Sequence, residues 1–337
     1  MRRILVLLCI AAQALVLGVM AGEREIILST GERIHLRTAP IDPRDPFRGD
    51  FVRLRYEISS AAPGQIRGGL RDHAKEKGYP VYAVLRQAPE DLYDLDYLTD
   101  EEPGEGIFLR GRVSTDWRIA RAGGAIAVRY GIEQLFVEQG RGREIERRRG
   151  TRNSLQVPME VEVAVGSGGK AVIRDFRWSR LGMSLKMLRF HRRDRNTNIE
   201  DITEPLSPKL EISLQNVSDT PLIVADPGNH CGFRVQTAAS VSRQYRPAYG
   251  GCQDLQMYAD DLIALAPGKA YTVALDLSEP RWYVSVDGNT GEIGRYANND
   301  SFRIVYQSPD TGRSVAGILA WKGELRSSAF TAFRVLD

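Results

Sequence analysis

Nineteen residues in a row, Ile4 to Gly22, carry no charge, and Gln13 is the strongly polar side chain among them. Wound as a helix at about 1.5 Å of rise per residue, the run is roughly 28 Å long, close to the hydrocarbon thickness of a bilayer. Met1-Arg2-Arg3 precedes it and Glu23-Arg24-Glu25 ends it abruptly. The basic start holds the N-terminus on the cytoplasmic side, so the chain after residue 23 is expected outside. Two readings stay open for residues 1–22. Val19-Met20-Ala21 has the small residues of a signal-peptide cleavage site, with cleavage after Ala21. The run nevertheless exceeds the about 7–15 residues of a signal-peptide core, which favours an uncleaved transmembrane anchor. Cys9 lies deep inside the run, not at its end, so lipid attachment there is not expected.

A chain of 337 residues suits two domains. The pattern after the anchor is mainly β: short alternating runs divided by Gly, Pro and Asp. Strands are predicted at Ile26–Leu28, Arg33–Thr38, Phe51–Ser59, Val81–Gln87, Gly106–Ser114 and Ile126–Val128, and short helices at Ile132–Glu138 and Gly142–Arg149. In Phe51–Ser59 the residues Val52, Leu54, Tyr56 and Ile58 face one way, and Arg53, Arg55 and Glu57 the other. Gly166-Ser167-Gly168-Gly169 between Met159–Val165 and Lys170–Phe176 is a hairpin signal, since glycine tolerates positive φ. A basic stretch from Arg177 to Arg195, then two prolines, marks the boundary between a β-rich domain over 23–176 and a second domain over 177–337. In the latter, Leu210, Ile212 and Leu214 alternate. Further strands at Pro221–Ala225, Ala270–Leu277, Phe302–Tyr306, Val315–Trp321 and Phe330–Val335 suggest an immunoglobulin-like β-sandwich.

The segment Pro40-Ile41-Asp42-Pro43-Arg44-Asp45-Pro46-Phe47-Arg48-Gly49-Asp50-Phe51-Val52-Arg53-Leu54-Arg55-Tyr56 carries a distinctive pattern: Gly-Asp, an aromatic, two free positions, Leu, one free position, Tyr. It resembles the signature of the GDYXXLXY family. Gly49, Asp50, Leu54 and Tyr56 match, and Phe51 stands where tyrosine is usual. Tyr130–Glu138 and Gly142–Glu146 are similar to the family's second block, and the resemblance covers about residues 4–176. It implies a membrane-anchored protein of a kind often encoded beside polytopic membrane proteins, and implies no activity, cofactor or catalytic residue. Read without the family, Gly49-Asp50 is a sharp turn into a strand, stiffened by three upstream prolines.

Chemistry is sparse. Cys231 and Cys252 each adjoin a glycine, and outside the cytoplasm they are expected to form a disulfide. A Cys231 nucleophile beside His230 fails because neighbours on a strand point to opposite faces. His35, His73 and His191 are scattered without metal-ligand spacing, so no metal or other cofactor is expected. The acidic stretch Glu90 to Glu105 lacks the order of a calcium loop and reads as solvated. A net charge of +3 on 46 basic and 43 acidic residues argues against a nucleic-acid partner. A signal-peptidase-like dyad would need Ser29 with a lysine base, yet no lysine precedes Lys75. The sequence therefore points to a non-catalytic, membrane-tethered accessory protein in the bacterial envelope. The expected partners are the inner-membrane bilayer and an integral membrane protein. The motif residues Gly49, Asp50, Phe51, Arg53, Leu54, Arg55, Tyr56 and Glu57 are the candidate docking surface. The rival readings are an envelope hydrolase or peptidase, and a sugar-binding module using Trp282, Tyr283, Tyr296 and Trp321.

Overall fold

The computed structural model describes residues 2–38, 51–61, 63–73, 76–114, 126–138, 141–150, 154–190, 206–238, 245–248, 252, 257–298, 300–308, 314–315 and 317–336. The proline-rich approach and Gly49-Asp50 lie outside them. The fold is mainly β, in several antiparallel sheets, with one long helix at the start.

That helix, α1, runs Arg2–Thr30, through the uncharged run and on through the segment read from sequence as a strand at 26–28. Ile26 and Thr30 join the same helix face, where Thr30 Oγ1 donates to Ile26 O at 2.7 Å. Among the described residues, no helix is long and apolar enough to cross a membrane.

The N-terminal strands are β1 (Glu32–Arg37), β2 (Phe51–Arg53), β3 (Ser60–Ala61), β4 (Pro80–Gln87), β5 (Tyr93–Thr99), β6 (Phe108–Ser114), β7 (Ile126–Arg129), β8 (Gln134–Phe136), β9 (Met159–Val165) and β10 (Ala171–Trp178). They form sheets ordered β1-β9-β10, β3-β7-β6-β4-β5 and β2-β8, around one core from Ile34 to Ala171. The short helix α2 (Arg141–Arg149) inserts Ile145 into that core.

Three local expectations give way to tertiary pairing. Residues 51–59 are not one strand. Phe51–Arg53 pairs with β8, Tyr56 bridges Thr38, a 3-10 turn at Glu57–Ser59 follows, and Ser60–Ala61 pairs with β7. Three partners in eleven residues break the ladder, yet Val52, Leu54, Tyr56 and Ile58 are all buried as the alternation requires. The helix expected at 132–138 is instead β8, which follows Gly131 at φ +83° and extends to pair with β2. Within the acidic stretch, Tyr93–Thr99 forms β5, on which Leu95 and Leu98 face the core. Its Leu/Tyr alternation was a strand signal that the carboxylates masked.

The C-terminal strands are β11 (Leu181–Arg189), β12 (Lys209–Asn216), β13 (Leu222–Ala225), β14 (Phe233–Thr237), β15 (Arg246–Pro247), β16 (Leu262–Leu265), β17 (Ala270–Asp276), β18 (Val284–Val286), β19 (Asn289–Gly291), β20 (Phe302–Gln307), β21 (Ser314–Val315), β22 (Ile318–Leu319) and β23 (Glu324–Arg326), with α3 at Ile293–Ala297. The main sheets are β11-β12-β17 and β14-β20-β23, joined by β13-β16, β15-β18-β19 and β21-β22. Leu210, Ile212 and Leu214 of β12 share a core with Phe302, Ile304 and Tyr306 of β20. The run 315–321 is split at Gly317, whose φ is +77°. Residues 330–335 fold back on themselves, Phe330 bridging both Phe302 and Val335.

Candidate functional site

The two sequence blocks of the N-terminal unit meet as a reciprocal latch. Tyr56 Oη donates to the Ile132 carbonyl at 2.7 Å, and Tyr130 Oη donates to the Ile58 carbonyl at 2.7 Å. Leu54 N donates to Glu133 O at 2.8 Å, and the Glu133 carboxylate accepts from the amides of Tyr130 at 2.6 Å and Gly131 at 3.1 Å. Burial, and then the Glu133 charge, raise both phenols above their ordinary value, which keeps them donors. Each hydroxyl satisfies a carbonyl that a buried turn would otherwise strand.

Around this latch the motif residues divide. Gly49 and Asp50 lie outside the described residues, as does the Phe51 side chain. Leu54 and Tyr56 are buried at 2% and 1% exposure, so neither can touch an external partner. Arg53 is exposed, and Arg55 is half-buried and engaged within the chain. Glu57, expected on the outer face, is turned inward: its Oε2 lies 3.0 Å from Arg326 Nη1 of β23. The alternation placed it correctly opposite Ile58, but a second unit covers that side.

The covering surface is the outer face of β14-β20-β23, and the seam is ionic. Glu160, 1% exposed in the middle strand of β1-β9-β10, is held between Arg37 at 3.2 Å and Arg177 at 2.8 Å, its cross-strand neighbours. Arg37 also donates to the Glu324 carbonyl on β23. The Glu324 carboxylate takes Arg234 at 2.6 Å and Arg326 at 2.7 Å. Burial alone would raise the Glu324 carboxyl, but Arg326 and Arg234 override it and hold it low. Glu57 goes the other way: burial raises its carboxyl against the pull of Arg326. Burial, with Arg326 beside it, pushes the Arg303 guanidinium down to about 10. No sequence signal links residue 57 to 326, because nothing local encodes contacts between distant strands.

A second polar knot sits in the C-terminal unit. The buried Asp226 carboxylate accepts from His230 Nδ1 at 2.7 Å, Tyr271 Oη at 2.7 Å and Gly232 N at 3.2 Å. Asn229 and His230 both have positive φ, at +60° and +59°, a conformation side chains adopt only when their surroundings impose it. Cys231 is bonded to Cys252, as compartment and local glycines predicted. The disulfide and the Asp226–His230 pair hold the same loop. Tyr271 and the Asp226 hub were not visible in the sequence.

His73 stacks on Tyr79 at 4.2 Å, and His191 lies outside the described residues. Burial, then Arg177, lower the imidazole of His35. Among the described residues no group of three His, Cys, Asp or Glu could hold a metal ion. Trp282 and Trp321 are each 3% exposed and belong to the C-terminal core.

No curated protein and no solved structure matches this chain. The sequence profile of the GDYXXLXY protein family matches residues 13–176, the stretch that holds the latch, the motif strand and the hairpin beneath α1. The N-terminal half of the chain therefore belongs to the GDYXXLXY protein family.

Proposed function

We propose that this chain is a non-catalytic accessory protein of the bacterial envelope, anchored in the inner membrane by α1, with its body outside the cytoplasm and docked on an integral membrane protein. The observation that carries the reading is the surface of α1. Ile4, Val6, Ile10, Leu15, Val16, Leu17, Val19 and Met20 are each more than half exposed. A helix apolar all round is stable only inside a core or a bilayer, since each such side chain gains about 1.5–3 kcal/mol on leaving water. The Cys231–Cys252 disulfide supports an oxidising compartment.

For the second unit, the strand order supports an immunoglobulin-like reading. One sheet takes the first, second and fourth of the six main strands, and the other the third, fifth and sixth, as β11-β12-β17 and β14-β20-β23. Such a module serves recognition more readily than catalysis, although fold alone does not decide function. The sugar-binding alternative loses two of its four aromatics, because Trp282 and Trp321 are interior, while Tyr283 and Tyr296 stay half-buried.

A reporter fused after Asp337 is expected to be active only outside the cytoplasm, and alkaline extraction should leave the protein with the membrane. Mass spectrometry of the mature protein should find the N-terminus intact; a chain beginning at Gly22 would remove the anchor. Crosslinking in whole cells should recover a membrane protein. Turnover of a peptide or glycan by the body, with no partner recovered, would overturn the binding reading.

A further inference from the structure

The last turns of α1 are built into the body. Ile27, 7% exposed, packs on Ala164 of β9 and Val172 of β10. Glu23 pairs with Lys170 at 2.5 Å, and Arg174 donates to the Leu28 carbonyl at 3.0 Å. Gly31 donates to the Ile27 carbonyl at 2.8 Å, and a Cβ there would collide with that oxygen, so the chain leaves the helix in a seat only glycine fits. Lys170 meets residue 23 and Arg174 meets residue 28, so β10 runs in the direction that α1 takes away from its apolar run. β1 runs the same way, since both strands are antiparallel to β9.

We infer that the hairpin turn Gly166–Lys170 rests among the lipid headgroups, making α1 and the β1-β9-β10 sheet one rigid post that lifts the motif strand off the membrane. The inference depends on α1 being the anchor. From Gly22, where the uncharged run ends, to Ile27, which the turn touches through Gly166, is about 7.5 Å of helix. The headgroup layer on each side of a bilayer is about 5–8 Å deep, so the turn falls within it. Ser167 and Gly168 at the tip are exposed and present no bulky or charged side chain, which lets the backbone approach phosphates, while the exposed Arg24 supplies a cation at that level. β1 then climbs from Glu32, opposite Val165, to Thr38, which bridges Tyr56. Six strand steps are about 20 Å, so the motif strand and Arg53 stand clear of the headgroups at the height of a partner's extramembrane loops.

The test uses the full chain with Cys9→Ala, the disulfide intact and one further cysteine at Val16, Ser167 or Arg53, labelled with a fluorophore. Vesicles of phosphatidylcholine and phosphatidylglycerol carry nitroxide either on the acyl chain or on the headgroup. Headgroup nitroxide is expected to quench the Ser167 label severalfold more than the Arg53 label, and acyl-chain nitroxide to quench Val16. Ser167 unquenched while Val16 is quenched would overturn this inference and leave the anchor standing. Val16 unquenched would overturn the anchor and this inference with it. Equal quenching at Ser167 and Arg53 would mean a body lying flat, and would overturn the post. Ile27→Asp should lower Ser167 quenching to the Arg53 level with Val16 unchanged; undiminished quenching would overturn the helix–hairpin joint as its cause.

Discussion

The two units close buried turns by different means. In the N-terminal unit the latch is hydrogen-bonded: Tyr56 and Tyr130 each cap a carbonyl in the other's block, and both rings sit in the core. In the C-terminal unit Tyr306 plays a similar part, its hydroxyl bonding both the amide and the carbonyl of Ala225 at 3.0 Å. Immediately after Ala225, however, the chain leaves the sheets, and there the structure adds the Asp226 hub and a disulfide. Phenol caps suffice where both halves of a turn are anchored by core side chains. A loop with little apolar content needs a covalent tie, because burial contributes too little to offset its entropy. Between the units the contact is ionic: Glu57 and Glu324 pair with Arg326 and Arg234, while Arg303 Nε is buried without a hydrogen-bond partner.

The seam gives the sharpest way to break that comparison. Glu160→Ala leaves Arg37, 8% exposed, without its counter-charge and is expected to cost about 3–5 kcal/mol in denaturant unfolding. Glu160→Leu combined with Arg37→Met should recover most of that loss, since a well-packed apolar pair can replace a buried ion pair. If Glu160→Ala costs less than the latch variants below, the seam is not the stronger tie. Next, Cys231→Ser with Cys252→Ser should cost about 3 kcal/mol through the freed loop. The effect should fall on the C-terminal unit and spare the latch, which hydrogen exchange can resolve.

Tyr56→Phe and Tyr130→Phe each leave a buried carbonyl unsatisfied, for about 1–2 kcal/mol. Because they tie the same two segments, the double variant should depart from additivity by about 0.5 kcal/mol or more. Strict additivity would show two independent caps instead of one latch.

Smaller still is the pH response of the seam. Glu324 has a folded pKa held below its unfolded one, so its contribution is present above the ordinary carboxylate range and is lost as pH falls through the folded value. Glu57, raised by burial, has the opposite sign: its contribution is fully present below that range and declines as pH rises through the raised value. Glu324→Gln should therefore flatten the acid limb of the stability profile, and Glu57→Gln should flatten the limb above it. Identical profiles for both variants would mean the two carboxyls share one environment.

How much of this was legible follows from the range of each signal. The helix over the uncharged run, the hairpin at Gly166–Gly169, the alternation of β12 and the Cys231–Cys252 pair all rest on neighbours in sequence or on compartment, and they were readable. The inward alternation of Val52, Leu54, Tyr56 and Ile58 was readable too, although the strand itself was not, because it changes partner twice. Strand β8 was mistaken for a helix because three residues decide too little against a tertiary pairing. The seam was invisible, since Glu57 and Arg326 are joined only by how two cores pack.

Arg53→Glu has the least expected effect on the fold and the most on docking. Arg53 is exposed on β2, opposite the face that buries Val52 and Leu54, and its strand neighbour Gln134 is exposed as well. Reversing an exposed charge changes stability by no more than about 0.5 kcal/mol, whereas reversing one inside an interface opposes the partner's charge at close range. Glu57, from the same outward-facing set, is already paired with Arg326, so Glu57→Lys should disturb the seam and lower the unfolding midpoint. The two variants separate docking from folding. Arg53→Glu is expected to keep the wild-type midpoint and lose the crosslink to a membrane protein in whole cells, with tethering intact. A tether raises local concentration enough that a weak interface suffices, so partial weakening should be rescued by overexpressing the partner. An unchanged crosslink with Arg53→Glu would assign this strand wholly to the fold and move the search for a docking face to the C-terminal sheets.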